Sequence, residues 1–425
     1  MTVTSFNHQA ETGIPFKTMK NQQDGLVSVI IPDYNHAQYI CDAIQSVLNQ
    51  EYRQFEIIVV DDGSTDNSRE VVAQFGDDVK YIWQENQGLS AARNTGIAVA
   101  SGEYIGLLDA DDIYEPDFMS ELVSLMAENR GIDGVYCGYR FVDHQNNPLP
   151  QIEARTIPEG QLYQHLLDSN FLVPESMLMR KHCYSRVGSF DISLSACEDW
   201  DMWLRMSSQY NIAGTTRILT RHRILPGSMS ADPQRMLDNR LAVLDKHFGR
   251  ASEKTNVRND DVKRAFGRAY LASCVEYLQF GDREKADTCL QGMANVYPAL
   301  LTQLDTYYQL GCGNQPKGQM GDFASLDLEQ NTELLLGMLD SLFAQKELVD
   351  KIGRYQRPSY AFACYSLALL YYGARRFPQA RHFFLKALIK HPGFGLNRQF
   401  MTTLLKTLAG AKVITQLKNS KQKLA

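Results

Sequence analysis

Residues 27–31 read Val-Ser-Val-Ile-Ile, a β-branched run broken by one small polar residue. That is the pattern of a strand buried on both faces of a parallel sheet. From His36 to Gln50 the period changes, and Ile40, Ala43, Ile44, Val47 and Leu48 fall on one helical face. The two patterns then alternate. Glu56–Val60 predicts a second buried strand and Thr65–Phe75 a helix capped by Ser64 or Asp66. Val79–Trp83 predicts a strand, Leu89–Ala100 a helix and Glu103–Leu108 a fourth strand. Such alternation implies a largely parallel sheet, and ligands of such sheets bind beyond the carboxyl ends of the strands. The loops Pro32–His36, Asp61–Asp66, Glu85–Leu89 and Asp109–Ile113 should therefore line one site. Beyond residue 130 the pattern is mixed: strands near Gly134–Val142 and Ser176–Met179, helices near Gln161–Asp168 and Asp199–Ser208.

After about residue 233 the strand pattern disappears. Pro233–Phe248, Asp261–Phe280 and most of the remaining chain read as helices. Tyr270, Tyr277, Ala286, Leu290 and Pro298 recur at a constant offset as Cys364, Tyr371, Ala380, Phe384 and Pro392. Each set has the spacing of a tetratricopeptide unit, or of any amphipathic helical hairpin. The offset of 94 positions is not a multiple of the usual ~34, so irregular helices should separate the copies. The expected divisions are a flexible segment 1–25, an α/β domain 26–232, a helical connector 233–260 and an all-α domain 261–425. On this division a chain ending near residue 250 should fold and bind nucleotide by itself.

Composition narrows the class. The chain has 425 residues, 44% hydrophobic and 22% charged, with a net charge of -6. These values exclude wholesale disorder and argue against an electrostatic grip on nucleic acid. Eight scattered cysteines without a C-x-x-C pair predict reduced core thiols, not a disulfide or zinc framework. No apolar window is long enough for a membrane span, and the first 25 residues lack a signal-peptide pattern. The expected location is the cytoplasm.

The chemistry sits in acidic loops. Asp61-Asp62-Gly63-Ser64 alone reads as a strand-to-helix turn. Asp109-Ala110-Asp111-Asp112 places three carboxylates in four residues, which repel unless a cation or donors hold them. Asp-x-Asp offers oxygen ligands suited to Mg²⁺ or Mn²⁺ gripping a diphosphate; a solvated acidic turn is the plain alternative. Glu198-Asp199-Trp200-Asp201 reads locally as the acidic first turn of a helix.

Together these segments resemble the family 2 glycosyltransferases of GT-A fold. The resemblance is carried by VSVIIPDYN (27–35), EIIVVDDGSTDNS (56–68), ENQGLSAARNTGI (85–97), GEYIGLLDADD (102–112) and EDWDMWLR (198–205), in the family's order. It covers about residues 26–230. It implies that Pro32, Tyr34 and Asn35, with Asp61 and Asp62, cradle the base and ribose. Asn86, Gly88 and Arg93 would flank the nucleotide, with Arg93 toward phosphate. Asp109 and Ala110 would meet the ribose or sugar, and Asp111, with Asp109, the divalent metal. Asp199, beside Glu198, would be the base for the acceptor hydroxyl in an inverting transfer. Trp200 and Trp203 are candidates for the acceptor pocket or for the core.

Two positions depart from the family pattern. Asp33 adds a carboxylate where a small residue is usual, and Leu225 replaces a histidine in Arg223–Ser230, with His222 as a stand-in. The Q-x-x-R-W motif of processive synthases is absent, so one sugar per encounter is expected. The implied partners are a nucleotide sugar, a carbohydrate, lipid-linked or protein acceptor, and a protein partner of the helical repeats. The lysine-rich amphipathic stretch at 403–423 reads as a capping helix or a weak membrane-surface helix. A catalytically silent interaction protein is the competing reading. A nucleotidyltransferase would want a Gly-rich basic loop at Pro32–His36, where neither glycine nor lysine occurs.

Overall fold

The computed structural model describes residues 23–249 and 260–408. Most of the N-terminal segment, the connector's last part and residues 409–423 of the lysine-rich tail lie outside the described residues.

The alternation expected from the sequence is present. β1 (Gln23–Asp33), α1 (Ile40–Leu48), β2 (Phe55–Asp61), α2 (Ser68–Ala73), β3 (Val79–Trp83), α3 (Leu89–Val99) and β4 (Gly102–Leu107) follow in order. β5 (Ile113–Tyr114), α4 (Phe118–Glu128), β6 (Gly134–Val142), β7 (Pro148–Glu153), α5 (Leu162–Asp168) and β8 (Met177–Arg180) come next. α6 (Lys181–Val187), α7 (Glu198–Ser207) and β9 (Ile212–Arg223) complete the α/β part. The strands form one nine-stranded sheet in the order β3-β2-β1-β4-β8-β6-β9-β5, with β7 paired to β6. β1 to β4 pair in parallel, whereas β8 is antiparallel to both β4 and β6. The architecture is a mixed sheet, parallel from β1 to β4 and continued by mixed strands, followed by helices, in keeping with the fold that the resemblance implies.

The β1 alternation explains how the sheet is covered. Val27, Val29 and Ile31 pack with α1 and α4 on one face, while Ile30 packs toward α3 and α7 on the other. Both faces are therefore dry, as the uninterrupted apolar runs require. β1 and β2 run in register to their carboxyl ends, where Asp33 lies beside Asp61. The functional loops leave the sheet at this edge.

The helical part comprises α8 (Pro233–Phe248), α9 (Asp260–Gln279), α10 (Arg283–Val296), α11 (Leu304–Gly311), α12 (Leu328–Phe343), α13 (Lys346–Ile352), α14 (Gln356–Gly373) and α15 (Phe377–Lys390). α9–α10 and α14–α15 are the two hairpins that the recurring residues mark, each followed by a 3₁₀ turn opening at Pro298 or Pro392. Ala286 and Ala380 are fully buried in them, where a larger side chain would separate the helices. α11, α12 and α13 are the irregular helices between the copies.

The apolar packing crosses the boundary expected at 233–260. Val262, Ala265, Phe266 and Ala269 of α9 lie in one cluster with Val243, Leu244, Leu166 and Trp200. Asp201, fully buried on α7, pairs with Arg205 and with Lys246 and His247 of α8. Burial opposes its charge, but His247, Lys246 and Arg205 hold its carboxyl well below the usual range. All eight cysteines are free; Cys41 is exposed, so the expectation of core thiols fails for that one.

Candidate active site

The loops at the carboxyl ends of β1, β2 and β4, the start of α7 and part of the helical half enclose a cleft of about 1710 Å³. Pro32, Tyr34, Asp62, Asn86, Gly88, Arg93, Asp109, Ala110, Asp111, Glu198 and Asp199 all line it. Asn35 and Asp61 do not.

The nucleotide-side loops are held by their own acids. Asp61 accepts hydrogen bonds from Ser64 N–H (2.7 Å) and the Tyr81 hydroxyl. Asp62 accepts from Gln84 Nε2 (2.6 Å), Gln87 N–H (3.0 Å) and Gly88 N–H (2.7 Å). Asn35 Oδ1 accepts from Thr65 N–H (2.7 Å). The polar atoms of Asp61 and Asn35 thereby fix the loops, and Asp62 presents an already bonded carboxylate. Gly63, at φ +81°, admits the close approach of the two loops, since a Cβ there would lie 2.9 Å from Asn86 N. Asp33 points away from solvent, and burial raises its pKa.

The acidic turn after β4 separates its three carboxylates by partner. Arg93 is almost completely buried, and it donates to Asp109 Oδ1 and to Glu198 Oε1, both at 2.6 Å. The guanidinium thus ties the acidic turn to the start of α7, and Arg93 also lines the cleft toward which the resemblance directs it. Asp112 accepts from Arg223 N–H (2.7 Å) and lies 3.2 Å from His222 Nδ1, which is 2.9 Å from Glu175. Burial disfavours a charged His222 ring, but Asp112 and Glu175 raise its pKa well above the ordinary value. His222 is thus a half-buried ionic partner of Asp112 and Glu175. Ligand atoms of Asp112, Glu175 and His222 lie within 4.8 Å of one another, spacing that could hold a metal, though His222 already bridges the two acids.

Asp111 differs. Its carboxylate has no hydrogen-bond partner among the described residues, while its carbonyl accepts from Arg223 Nε (2.7 Å). Burial, then Asp112 and Asp109, push its pKa well above the usual carboxylate range. A divalent cation beside it would offset that accumulated charge, so the donor set fits a hard metal.

Asp199 opens α7. Cys197 before it takes a left-handed conformation (φ 59°), unusual for a residue with a Cβ, and this sharp entry turns Glu198 and Asp199 into the cleft. Asp199 Oδ1 accepts from Trp200 N–H (2.7 Å) and Oδ2 from Asn170 Nδ2 (3.0 Å). Burial and the neighbouring Glu198 raise its pKa to about 7 against the opposing pull of Arg93. A carboxylate with that pKa can take a proton near neutral pH. Trp200 lines the cleft with its Nε1 bound to Leu166 O (2.7 Å), and Trp203 is wholly core.

Sequence reasoning missed the opposite wall. Arg240, Arg268, Glu276, Asp305 and Lys317 of the helical half line the same cleft. No local motif announces them. Asn170, the partner of Asp199, was equally silent.

Residues 28–187 match the model of glycosyl transferase family 2. An uncharacterized glycosyltransferase of Rickettsia typhi is 36% identical over 203 residues, covering 45% of this chain and 62% of the relative. One of Rickettsia prowazekii is 33% identical over 214 residues, covering 48% and 66%. The glycosyltransferase GlyG of Streptococcus pneumoniae is 33% identical over 177 residues, covering 38% and 59%. The chain thus spans less than two thirds of the length of each. Among solved structures, S. aureus TarS 1-349 gives a TM-score of 0.48 at 17% identity over 79% of this chain and 90% of that one. The mannosyltransferase PcManGT from Pyrobaculum calidifontis, in complex with GDP-Man and Mn²⁺, gives 0.45 at 17% identity over 79% and 86%.

Proposed function

We propose that this chain, built on a family 2 glycosyl transferase domain, is an inverting, metal-dependent, non-processive glycosyltransferase. It takes a sugar from a nucleoside-diphosphate sugar and places it on an acceptor hydroxyl of a polysaccharide, glycolipid or glycoprotein. The observation that carries the reading is Asp199, a carboxylate with its pKa raised to about 7, in one cleft with the unpartnered Asp111.

In this reading Pro32, Tyr34, Asn86 and Gly88 shape the nucleotide pocket, whose loops Asn35, Asp61 and Asp62 hold. Asp111, with Asp109, would hold Mn²⁺ or Mg²⁺, which supplies positive charge to the diphosphate. Arg93 fixes Asp109 and Glu198 relative to each other, so donor side and acceptor side keep one geometry. Asp199 accepts the proton of the acceptor hydroxyl as that oxygen bonds to the anomeric carbon. The bond from that carbon to the diphosphate oxygen breaks, and its electron pair leaves with the diphosphate. Attack opposite the leaving group inverts the anomeric centre. α8 and α9 wall the acceptor side, and the helical hairpins, tetratricopeptide-like in spacing, offer a surface to a protein partner.

The test is a panel of nucleotide sugars with Mn²⁺ or Mg²⁺, scored for release of nucleoside diphosphate and for the anomeric configuration of the product. Metal-dependent release by wild type that Asp199→Asn loses supports the reading. Undiminished release by Asp199→Asn, or retention of configuration, overturns it.

A further inference from the structure

The helical wall carries a cation that the family domain does not supply. Pro316–Gln319 is a turn closed by Gln319 N–H donating to Pro316 O at 3.0 Å. Gly318 is its third residue, with φ +85°, the conformation a type II turn demands there. The turn is fixed to the α/β domain from both sides of one residue. Gln151 N–H donates to Gly318 O (2.9 Å), and Gly318 N–H donates to Gln151 Oε1 (3.1 Å). A Cβ on Gly318 would meet Leu149 Cδ1 at 2.6 Å, so only glycine fits against β7. Buried Gln315 braces the loop from behind, donating to Asp322 O (2.7 Å) and Ser325 Oγ (3.0 Å). The second residue of this rigid turn is Lys317, which lines the cleft and donates to Ser230 Oγ at 3.2 Å.

The charge pattern around it is uneven. Arg93, Arg155, Arg223, Arg240 and Arg268 line the cleft too, each paired with a carboxylate, while Arg235 in the same lining is bound to Ser195 O and Oγ. Lys317 has a hydroxyl as its partner and, among the described residues, no carboxylate in salt-bridge contact. Its side chain is exposed to the open space of the cleft. A cation in that position is stabilised when an anion binds beside it. A nucleoside diphosphate keeps net negative charge after binding one divalent cation, and Arg93 is already bonded to two acids.

We infer that Lys317 binds a phosphate oxygen of the donor's diphosphate, so that the helical half completes the donor site. This rests on the glycosyl-transfer reading and adds a residue from outside the family domain to it. Isothermal titration of the full chain in Mn²⁺ with UDP, GDP, ADP and CDP first identifies the diphosphate that wild type binds. Lys317→Ala should raise its Kd by ~10-fold and Lys317→Arg by no more than ~3-fold, with the parent nucleoside bound equally by all three. Added salt should weaken wild type more than Lys317→Ala. Equal diphosphate affinity of wild type and Lys317→Ala overturns the inference. Parallel loss of nucleoside and diphosphate overturns it as well, because it would report a displaced wall. Failure of wild type to bind any of the four diphosphates removes the glycosyl-transfer reading itself, and the inference with it.

Discussion

The two walls of the cleft are built on different principles. The α/β wall is made of loops that follow buried strands, and its acids occur in short runs: 61–62, 109–112, 198–201. The helical wall gathers residues from 240 to 317, brought together only by packing. The first wall is legible to anyone reading ten residues at a time. The second exists only because α8 and α9 share a core with α7. A site can thus be half written in motifs and half in tertiary contacts, and the halves respond to different mutations.

The sharpest way to break this comparison is to remove the second wall. A chain ending at residue 249 exposes the surface that Val262, Ala265, Phe266 and Ala269 cover. The sequence alone suggested that it would fold; the shared cluster leads to the opposite expectation. It should show no cooperative melt and no diphosphate binding, and a soluble, cooperatively melting fragment would mean that the walls are independent bodies. Next in size is the joint itself. Asp201→Asn leaves Arg205, Lys246 and His247 facing a neutral, fully buried side chain, and should destabilise the fold by ~3–5 kcal/mol in urea titration. The sign with pH comes from the depressed pKa of Asp201. The wild-type advantage is full above about pH 4 and is lost as the solution becomes more acidic.

On the motif-bearing wall the effects should be chemical. Asp199→Asn should lower kcat by ~10²-fold or more while leaving donor binding and melting temperature close to wild type. Joint loss of binding and turnover would make Asp199 a structural cap. Because burial and Glu198 raise its pKa to about 7, kcat/KM should fall on the acid side as Asp199 takes up its proton, with the break near pH 7. The smallest effect is that of Asp111→Asn, which should weaken diphosphate binding by ~10-fold in Mn²⁺ and little in its absence. Equal weakening with and without metal would separate Asp111 from the cation.

How much was legible divides along the same line. The order of β1 to β4 and the loops that end them came from β-branched runs and helical spacing, because parallel strands buried on both faces leave an unmistakable pattern. The acids were found, but not their partners. The resemblance places Arg93 toward phosphate, and its sequence position says nothing of Asp109 and Glu198, the latter 105 residues away. The hydrogen bonds by which Asp61 and Asn35 hold their own loops leave no mark in the letters around them. Lys317 had no pattern at all: its place depends on Gly318 fitting against Leu149 in another part of the chain.

Arg223, at the end of β9, closes one side of the acidic turn. Its N–H is bonded to Asp112 and its Nε to Asp111 O, while its Nη atoms reach His144 O and Asp42. Two residues later the chain has Leu225 where the family commonly has histidine. Since the turn takes its shape from Arg223 and not from position 225, that position can drift in evolution without dismantling the carboxylates before it. A lineage that loses a side chain there changes what the cleft offers its substrate, and keeps the frame on which a replacement can later be tried.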